Sequence, residues 1–309
     1  MSKQPPNGVA TPVVDSADAE CVPEVSVVIT TRDRAGLLDP TLASLAAQAT
    51  GDTSWELILI DNGSTDTTPA VIAAASAQLP IRSYRFEPAG KCRAQNFALE
   101  QVRGELVVFS DDDVSCEPGW LNALWRAAVC WPDADLFGGA IRVRLIDGVP
   151  DWLDNEAGRA IIERHCAHYH PRDDEGFSDV PPIGPNMAVR KRTLVDIRFD
   201  ENVGPDGTQD YIKGGDTDLN QTLMARGHRC VFVPGSVVHH HAYARQLRLE
   251  ELVRGAYRRG RKNAYLYPKS GGLQVAGAPA KLWLQLAKQW LRFRLASRSN
   301  AQRRYQLGT

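Results

Sequence analysis

The chain has 309 residues, 43% of them hydrophobic, and a formal net charge of −1 at pH 7. This length and composition exclude a wholly disordered chain and are sufficient to bury a full core. The near-neutral total conceals an uneven distribution, because residues 241–309 contain 15 Lys and Arg but only two acidic residues, Glu250 and Glu251. The body is therefore acidic, and the basic tail favours anionic partners such as lipid headgroups and phosphates.

The six cysteines form no CxxC pair and lie near no histidine cluster, which argues against a zinc site and against a disulfide framework. Residues 1–22 are polar and lack the charged start and apolar run of a secretory signal, so we expect a disordered leader. No run of about 18 apolar residues occurs, which excludes an ordinary membrane-spanning helix. We therefore expect a cytoplasmic protein whose membrane contact, if any, is peripheral.

From Glu24 onward, short apolar runs alternate with helical patterns, which predicts an α/β fold with a mostly parallel sheet and crossover helices. Strands are expected at 25–29, 57–60, 81–86, 106–109, 136–143 and 230–233, and helices around 37–45, after Asp66 or Thr67, and at 93–102, 118–130 and 216–226. In such sheets the ligand crevice lies outside the carboxyl ends of the strands. The polar residues that follow those ends are therefore the candidates for chemistry.

An acidic triplet, Asp111-Asp112-Asp113, follows the strand at 106–109 directly. Carboxylates two residues apart face the same side, so Asp111 and Asp113 share a crevice while Asp112 points elsewhere. One or two carboxylates and the phosphate oxygens of a substrate are enough to hold Mg²⁺. Taken alone, the triplet is equally consistent with a solvated loop or an acidic helix start.

Other polar positions also lie at strand ends or helix starts. Asp61 ends an earlier strand and offers an acceptor to a nucleotide base, and Lys91 and Arg93 open a helix whose first amides favour a diphosphate. Asp216 begins a later helix, either as an N-cap or as a general base. One of the three consecutive histidines that end with His241 is placed to complete a metal shell.

Each signal is weak alone, but their order along the chain resembles the family 2 glycosyltransferases, which have the GT-A fold. The resemblance covers about residues 24–245. The stretches that carry it are Val25 to Thr31 with Arg34 and Leu37-Leu38, Asp61 to Asp66, Gly90 to Asn96, Phe109 to Asp113, Gly184 to Met187, Asp216 to Leu219 and Pro234 to His240.

The resemblance implies an inverting transferase that uses a nucleotide-diphosphate sugar and Mn²⁺ or Mg²⁺. Asp216 would be the catalytic base and Asp113 the principal metal ligand, while Asp111 would contact the ribose, or the metal through water. His240 aligns best with a further metal ligand, and His239 and His241 stay open as alternatives to it. The residues assigned to the donor on this basis are Thr31, Arg32, Asp61, Lys91, Arg93, Asp111, Asp112 and Asn186.

Two positions depart from the family pattern. Gly215 stands where a glutamate usually precedes the base, which puts inference about the acceptor in doubt. Arg32 stands where an aromatic residue often stacks on the base, although a guanidinium plane also stacks.

The expected organisation is a leader at 1–22, a catalytic domain at 23–245 and a basic, largely helical extension at 246–309. The catalytic domain would divide into a nucleotide-binding half, 23–115, and an acceptor-binding half, 116–245. Residues 281–294 combine Trp, Leu and Phe with Lys and Arg, which suits a helix in an anionic membrane interface, on the inner face of the cytoplasmic membrane. The alternative is packing on the catalytic domain or on a second subunit, which leaves a homo-oligomer open.

Two other classes compete with the transferase. A nucleotidyltransferase would carry a Gly-rich basic signature after the first strand, where this chain has Thr30-Thr31-Arg32-Asp33-Arg34. A non-catalytic carbohydrate- or lipid-binding relative is conceivable because of Gly215. A nucleic-acid partner is disfavoured by the acidic body. Sequence leaves UDP, GDP and dTDP donors open, and saccharide or lipid-linked acceptors are expected from the family only.

Overall fold

The computed structural model describes residues 10–16, 22–266, 274–275, 278–279, 283–284 and 287–288. The strands are β1 Ala10–Asp15, β2 Val25–Thr31, β3 Trp55–Asp61, β4 Ile81–Phe86, β5 Leu106–Phe109, β6 Val114–Cys116, β7 Leu136–Leu145, β8 Gly176–Phe177, β9 Met187–Arg190, β10 Cys230–Ala242, β11 Gln274–Val275 and β12 Ala278–Pro279. The α-helices are α1 Ala35–Ala46, α2 Thr68–Ala75, α3 Lys91–Gln101, α4 Trp120–Cys130, α5 Glu156–His165, α6 Gly215–Ala225 and α7 Leu249–Leu266.

The central sheet has the order β1-β4-β3-β2-β5-β9-β7-β10-β6. Strands β4, β3, β2 and β5 are parallel, as the alternating pattern predicts. Strand β9 differs, because it runs antiparallel between β5 and β7. It enters the sheet from the loop at 178–186 rather than from a crossover helix, so its direction follows from the loop that precedes it.

Both faces of the sheet are covered, which explains the continuous apolar runs of its inner strands. In β2, Val27 and Ile29 pack in one core cluster with α1 and α4, while Val28 packs in a second cluster with α3 and α6. The sheet is therefore a rigid support, and the loops after its parallel strands emerge at one edge.

One part of the expected leader is ordered. Residues 10–15 form β1, an edge strand that pairs antiparallel with β4 through a register shift between Pro12 and Val14. The prediction of disorder was wrong for this stretch, because backbone pairing at an edge needs no apolar pattern. Residues 1–9 and 17–21 of the expected leader lie outside the described part of the chain.

Strand β10 is much longer than the sequence predicts. The pair Pro234-Gly235 indicates a turn, but the strand continues through a shift of register between Val233 and Val237 in its pairing with β7. A bulge is where a strand tolerates proline. Because β10 continues, it reaches β6 and places His240 beside the acidic triplet.

In the extension at 246–309, the described residues include helix α7, the short strands β11 and β12, and helical residues at 283–284 and 287–288. Helix α7 packs on the catalytic domain rather than forming a separate unit, and β11 and β12 pair with each other further along. Most of the membrane-active segment predicted at 281–294 lies outside the described residues. Within the described part, no helix combines the length and apolar character needed to cross a bilayer.

A buried carboxylate, Glu56 in β3, joins β2, β4 and the loop before β5. Its oxygens accept hydrogen bonds from Ser26 Oγ at 2.7 Å, from Arg82 Nη1 at 2.9 Å, and from Arg103 N and Nε at 2.8 and 2.9 Å. Burial opposes ionisation, but these bonds outweigh it and hold the pKa of Glu56 below its ordinary value of 4.5. The charged form therefore stabilises the fold.

Replacing Glu56 by glutamine is expected to lower the free energy of unfolding by about 3 kcal/mol at pH 7, because two arginines lose their buried counterion. Because the pKa of Glu56 is lower in the folded state than its ordinary value, the stabilisation that its carboxylate gives to the fold is present above pH 4.5. That stabilisation is lost as the pH falls from 4.5 through the folded-state pKa. Urea unfolding of both proteins at several pH values measures this. Glu100→Gln, at an exposed position of α3, is the control. An equal difference at pH 7 and pH 3 would contradict the assignment.

Candidate active site

A cleft of about 1420 Å³ opens at the carboxyl ends of β2, β3 and β5. It collects most of the residues that the sequence singles out. Those predicted residues that line it are Thr31, Arg32, Lys91, Asp111, Asp112, Asp113, Asp216 and His240. The strand ends thus meet as the α/β pattern predicts.

The three aspartates after β5 have different partners. Asp111 Oδ1 accepts a hydrogen bond from Lys91 Nζ at 2.5 Å. Asp112 accepts one from Thr31 Oγ1 at 2.6 Å, and its Oδ1 lies 3.2 Å from Arg34 Nε. Asp113 is ion-paired with the same guanidinium, that of Arg34. The expectation that Asp112 points away from the shared crevice was therefore wrong, because Asp112 lines the cleft and shares Arg34 with Asp113. The triplet is a network of charges rather than a solvated turn.

The charges in this network shift one another. Burial raises the pKa of Asp112 to about 6, against the opposing effect of Arg34. Burial also acts to raise the pKa of Asp111, but the Lys91 ammonium outweighs it and the pKa is lowered. Desolvation would lower the pKa of Lys91, yet the Asp111 carboxylate raises it. The Lys91–Asp111 pair is thus fully charged at neutral pH.

Alternation along β10 separates the three histidines. His239 Nε2 lies 2.8 Å from Glu117 Oε1, and His241 Nε2 lies 2.6 Å from Ser115 Oγ. Only His240 lines the cleft, with Nε2 at 3.4 Å from Asp113 Oδ1. This register separates His240 from its neighbours, and metal binding by His240 stays a prediction.

Asp113 and His240 meet the minimum requirements of a site for a divalent cation. Asp113 Oδ1 is buried and has no hydrogen-bond partner, and it faces an imidazole nitrogen. A hard ion needs only one or two protein ligands when substrate phosphates supply the rest. Within the described parts of the chain, no group of three or more His, Cys, Asp or Glu side chains converges on one point. Asp111 is engaged by Lys91 instead.

Asp216 lies in the first turn of α6 and lines the cleft. Its carboxylate fits directly against the backbone of Gly184: a methyl group built there would lie 2.2 Å from Asp216 Oδ2. Only glycine leaves this space. The loop at 184–186 therefore fixes the position of the candidate base.

Three predicted donor residues do not point into the cleft. Asn186 is fully buried; its amide donates to Ala140 O and Ser236 O at 3.0 Å, and its Oδ1 accepts from Trp120 Nε1 at 2.8 Å. Its assignment to the donor was wrong, because all of its polar atoms are used inside the fold.

Arg93 does not line the cleft, and its Nε lies 3.5 Å from Glu201 Oε2, so its assignment to the diphosphate stays a prediction. Asp61 is buried at the end of β3, where it accepts a hydrogen bond from Ser64 N at 2.8 Å and pairs with Arg85 at 3.4 Å. Base binding by Asp61 stays a prediction. Its neighbour Asn62 lines the cleft instead.

The sequence resemblance includes Arg34 but assigns it no role. The structure places its guanidinium between Asp112 and Asp113, where it holds the loop that carries the candidate metal ligand. The sequence contained one indication of this role: Arg34 lies three residues after β2, at the sheet edge where carboxylates were already expected. The same reasoning would have proposed Asn62 as a cleft residue, because it follows Asp61 at the end of β3.

Gly215 departs from the family pattern for a steric reason. A methyl group built on it would lie 2.5 Å from the buried Sγ of Cys92 at the start of α3. The thiol therefore takes the space of a side chain at 215, and burial raises its pKa, so it stays protonated. The two positions are complementary.

Gly215→Ala is accordingly expected to lower the free energy of unfolding by about 2 kcal/mol, through overpacking. In a Cys92→Ala background, Gly215→Ala should lower the free energy of unfolding much less, because the Sγ atom that the new methyl group would meet is absent. Urea unfolding of the two single variants and the double variant gives the coupling energy, expected at about 1 kcal/mol or more. Additive effects would contradict the steric account.

Fold and cleft together define the architecture. The chain is similar to the mannosyltransferase PcManGT from Pyrobaculum calidifontis, solved with GDP-Man and Mn²⁺, with a TM-score of 0.57 and 19% identity over 95% of this chain and 76% of that one. It is also similar to S. aureus TarS 1–349 in complex with UDP, with a TM-score of 0.53 and 17% identity over 90% of this chain and 73% of that one. The protein has the GT-A fold.

The profile of Glycosyl transferase family 2 matches residues 26–198, more than half of the chain. The chain belongs to this family. Over 108 residues it is 36% identical to validoxylamine A glucosyltransferase of Streptomyces hygroscopicus subsp. jinggangensis, covering 34% of this chain and 26% of that protein. It is 26% identical to glycosyltransferase AglE of Haloferax volcanii, covering 68% of this chain and 64% of that protein. The chain thus spans about a quarter of the first relative's length.

Proposed function

We propose that this chain is a metal-dependent, inverting glycosyltransferase that moves a sugar from a nucleotide-diphosphate sugar to an acceptor hydroxyl. One observation carries the proposal: Asp113 Oδ1 is buried without a hydrogen-bond partner and faces His240, in the same cleft as the Lys91–Asp111 pair and Asp216. One cleft therefore contains candidates for the metal ligands, for the group that binds the phosphate and for the catalytic base.

The chemistry follows from these positions. Asp216 takes the proton of the acceptor hydroxyl as its oxygen attacks the anomeric carbon. The bond between that carbon and the diphosphate oxygen breaks, and the electron pair leaves with the diphosphate. Because one displacement occurs, the anomeric configuration inverts. Lys91, whose charge is secured by Asp111, stabilises the phosphate oxygens.

Asp113 and His240 would hold Mn²⁺ or Mg²⁺ against the diphosphate. When bound, such an ion supplies positive charge that stabilises the departing group. Arg34 keeps Asp113 in place, so its loss would loosen this ligand. The structures of TarS with UDP and of PcManGT with GDP-Man and Mn²⁺ support a nucleotide-sugar donor and a divalent cation in general.

The wider role is proposed from relatives. RfbC of Myxococcus xanthus is an O-antigen biosynthesis protein, and ExoO of Rhizobium meliloti is a succinoglycan biosynthesis protein. They match this chain with 27% and 25% identity. We place this chain in the assembly of cell-surface polysaccharide or lipid-linked glycan. Peripheral attachment to the inner face of the cytoplasmic membrane through residues 281–294 stays a hypothesis from sequence.

The test is a thermal-shift screen of UDP-, GDP- and dTDP-sugars with Mn²⁺ or with EDTA. One donor is expected to raise Tm only with the metal; at a ligand concentration of 100 Kd the stabilisation is about 2.7 kcal/mol. The corresponding sugars without nucleotide are the controls and should leave Tm unchanged. If no donor shifted Tm in the presence of Mn²⁺, the proposed function would fail.

A further inference from the structure

The cleft continues past the donor residues into a basic region. Four cationic side chains from the loop before α6 and from α7 line it; these residues, named here the basic cluster, are Lys213, Arg258, Arg259 and Lys262. The sequence shows a basic tail but does not show that α7 brings it back to the cleft. The domain boundary expected at 245 therefore separates residues that line the same cleft.

Most of the basic cluster lacks counterions. Among the residues that the structure describes, no Asp or Glu oxygen lies within 4.0 Å of a nitrogen of Lys213, Arg258 or Lys262. The acidic residue of α7 that lines the cleft, Glu251, is already paired with Arg254. Three positive charges thus line the cleft without a direct ion pair, although Asp216 and Asp218 act on Lys262 from a longer distance.

The cluster is held in place by neutral groups. Arg258 Nε donates to Gln209 O at 2.9 Å, and its guanidinium lies 4.2 Å from the centroid of the Tyr211 ring. Lys262 covers the backbone before α6: a methyl group on Gly214 would lie 2.8 Å from its Nζ. Such contacts orient the cations but leave their charge available.

The environment is unfavourable for these charges in the absence of a ligand. Burial lowers the pKa of Lys213, and the nearby Arg259 and Arg258 lower it further. Burial, with Lys213 and Arg259, also lowers the pKa of His165 to about 4, and its Nδ1 is buried without a hydrogen-bond partner. Half-buried cations without a direct ion pair cost free energy, and such groups cluster at functional sites.

We propose that the basic cluster is an acceptor subsite that binds a phosphate ester next to the sugar hydroxyl that is glycosylated. This inference rests on the proposed transferase function. Lys213, Arg258 and Lys262 supply three charge-assisted donors to phosphate oxygens. The acceptor is therefore an anionic, phosphate-bearing glycan or glycolipid rather than a neutral sugar.

The place of the cluster favours the acceptor over the donor. Lys262 lies over Gly214, two residues before Asp216, the group that receives the acceptor's proton. The diphosphate of the donor is already served by Lys91 and by the site at Asp113. The cleft wall also carries Val253 and Tyr257, each 57% exposed, which suit an apolar chain attached to the phosphate.

Isothermal titration with two phosphate monoesters tests the subsite: methyl phosphate, and octyl phosphate below its critical micelle concentration. Both are expected to bind, and Lys213→Gln and Arg258→Gln should each weaken binding about tenfold. Arg126→Gln removes the same charge from an exposed position of α4 outside the cleft and should leave both affinities unchanged. Tighter binding of octyl phosphate, lost in Tyr257→Ser, would identify a lipid-linked phosphate; equal binding would identify a soluble one.

A second measurement separates binding from a structural role. Since Lys213 is desolvated and unpaired, Lys213→Gln should raise Tm of the free protein while it weakens phosphate binding. A residue that merely supports the fold would lower Tm. The inference is overturned if neither ester binds, or if binding survives Lys213→Gln and Arg258→Gln but is lost in Lys91→Gln. A failed nucleotide-sugar screen alone would instead overturn the proposed function.

Discussion

Replacing Asp216 by asparagine is expected to lower kcat about 10³-fold and to leave the affinity for the nucleotide sugar unchanged. The carboxylate is the proton acceptor, and a positioned base contributes about 10²–10⁴-fold. The amide has nearly the same shape, so the close packing against Gly184 survives. Initial rates of nucleoside diphosphate release, with donor binding measured by titration, separate the two effects.

A matched control lies on the same helix. Asp218→Asn alters a carboxylate two residues further along α6 that does not line the cleft. It should keep kcat within about twofold of the wild type. Equal losses in both variants would mean that the helix, rather than the base, had been damaged. Full turnover in Asp216→Asn would show that another group takes the proton.

Replacing Asp113 by asparagine is expected to remove metal-dependent turnover, with a loss of about 10³-fold in kcat/KM. The reason is that Asp113 Oδ1 is the buried carboxylate oxygen left without a hydrogen bond beside His240. Titration of Mn²⁺ into the protein with saturating donor measures the loss directly. Turnover by Asp113→Asn at the wild-type Mn²⁺ dependence would contradict the metal assignment.

The three histidines give this prediction a matched pair of variants. His240→Gln should weaken Mn²⁺ activation, because its imidazole faces Asp113. His239→Gln should leave activation unchanged, because that side chain is bound to Glu117 outside the cleft. Equal Mn²⁺ activation of the two variants would contradict the assignment of His240, rather than His239, to the metal site.

Much of the sheet and of the cleft follows from local sequence. Strands β4 and β5 have the predicted bounds, since apolar runs between turns leave little choice of register. Asp113 lies in the cleft because it follows a predicted parallel strand, and such strand ends share an edge. Asp216 reaches the cleft from the start of α6, and His240 reaches it because β10 extends beyond its predicted bounds.

Long-range contacts decided the positions that were predicted wrongly. Asn186 follows a loop that the family pattern associates with the donor, yet Trp120 and two backbone carbonyls engage its amide. For Arg93, which follows the cleft residue Cys92 in α3 and whose assignment stays a prediction, the partner in the structure is Glu201. Which partner a polar side chain finds is set by tertiary packing, and the sequence near it does not specify that partner.

The same limit applies to the basic tail. Its composition indicates an anionic partner, but nothing local predicts that α7 packs beside α6 and adds Lys262 to the cleft. The complementarity of Cys92 and Gly215 is likewise invisible without coordinates, because the two residues are far apart in sequence. This pair accounts for Gly215, one of the two positions at which the chain departs from the family pattern.

The most direct test of the central claim is the rate of nucleoside diphosphate release from UDP-, GDP- and dTDP-sugars by the wild-type protein, with Mn²⁺ and with EDTA. The cleft described here predicts multiple turnovers with one donor class in Mn²⁺, loss of that activity in EDTA, and its recovery when Mn²⁺ is restored. Release at the same rate in EDTA, or no release from any donor when phosphate-bearing and neutral acceptors are both supplied, would contradict it.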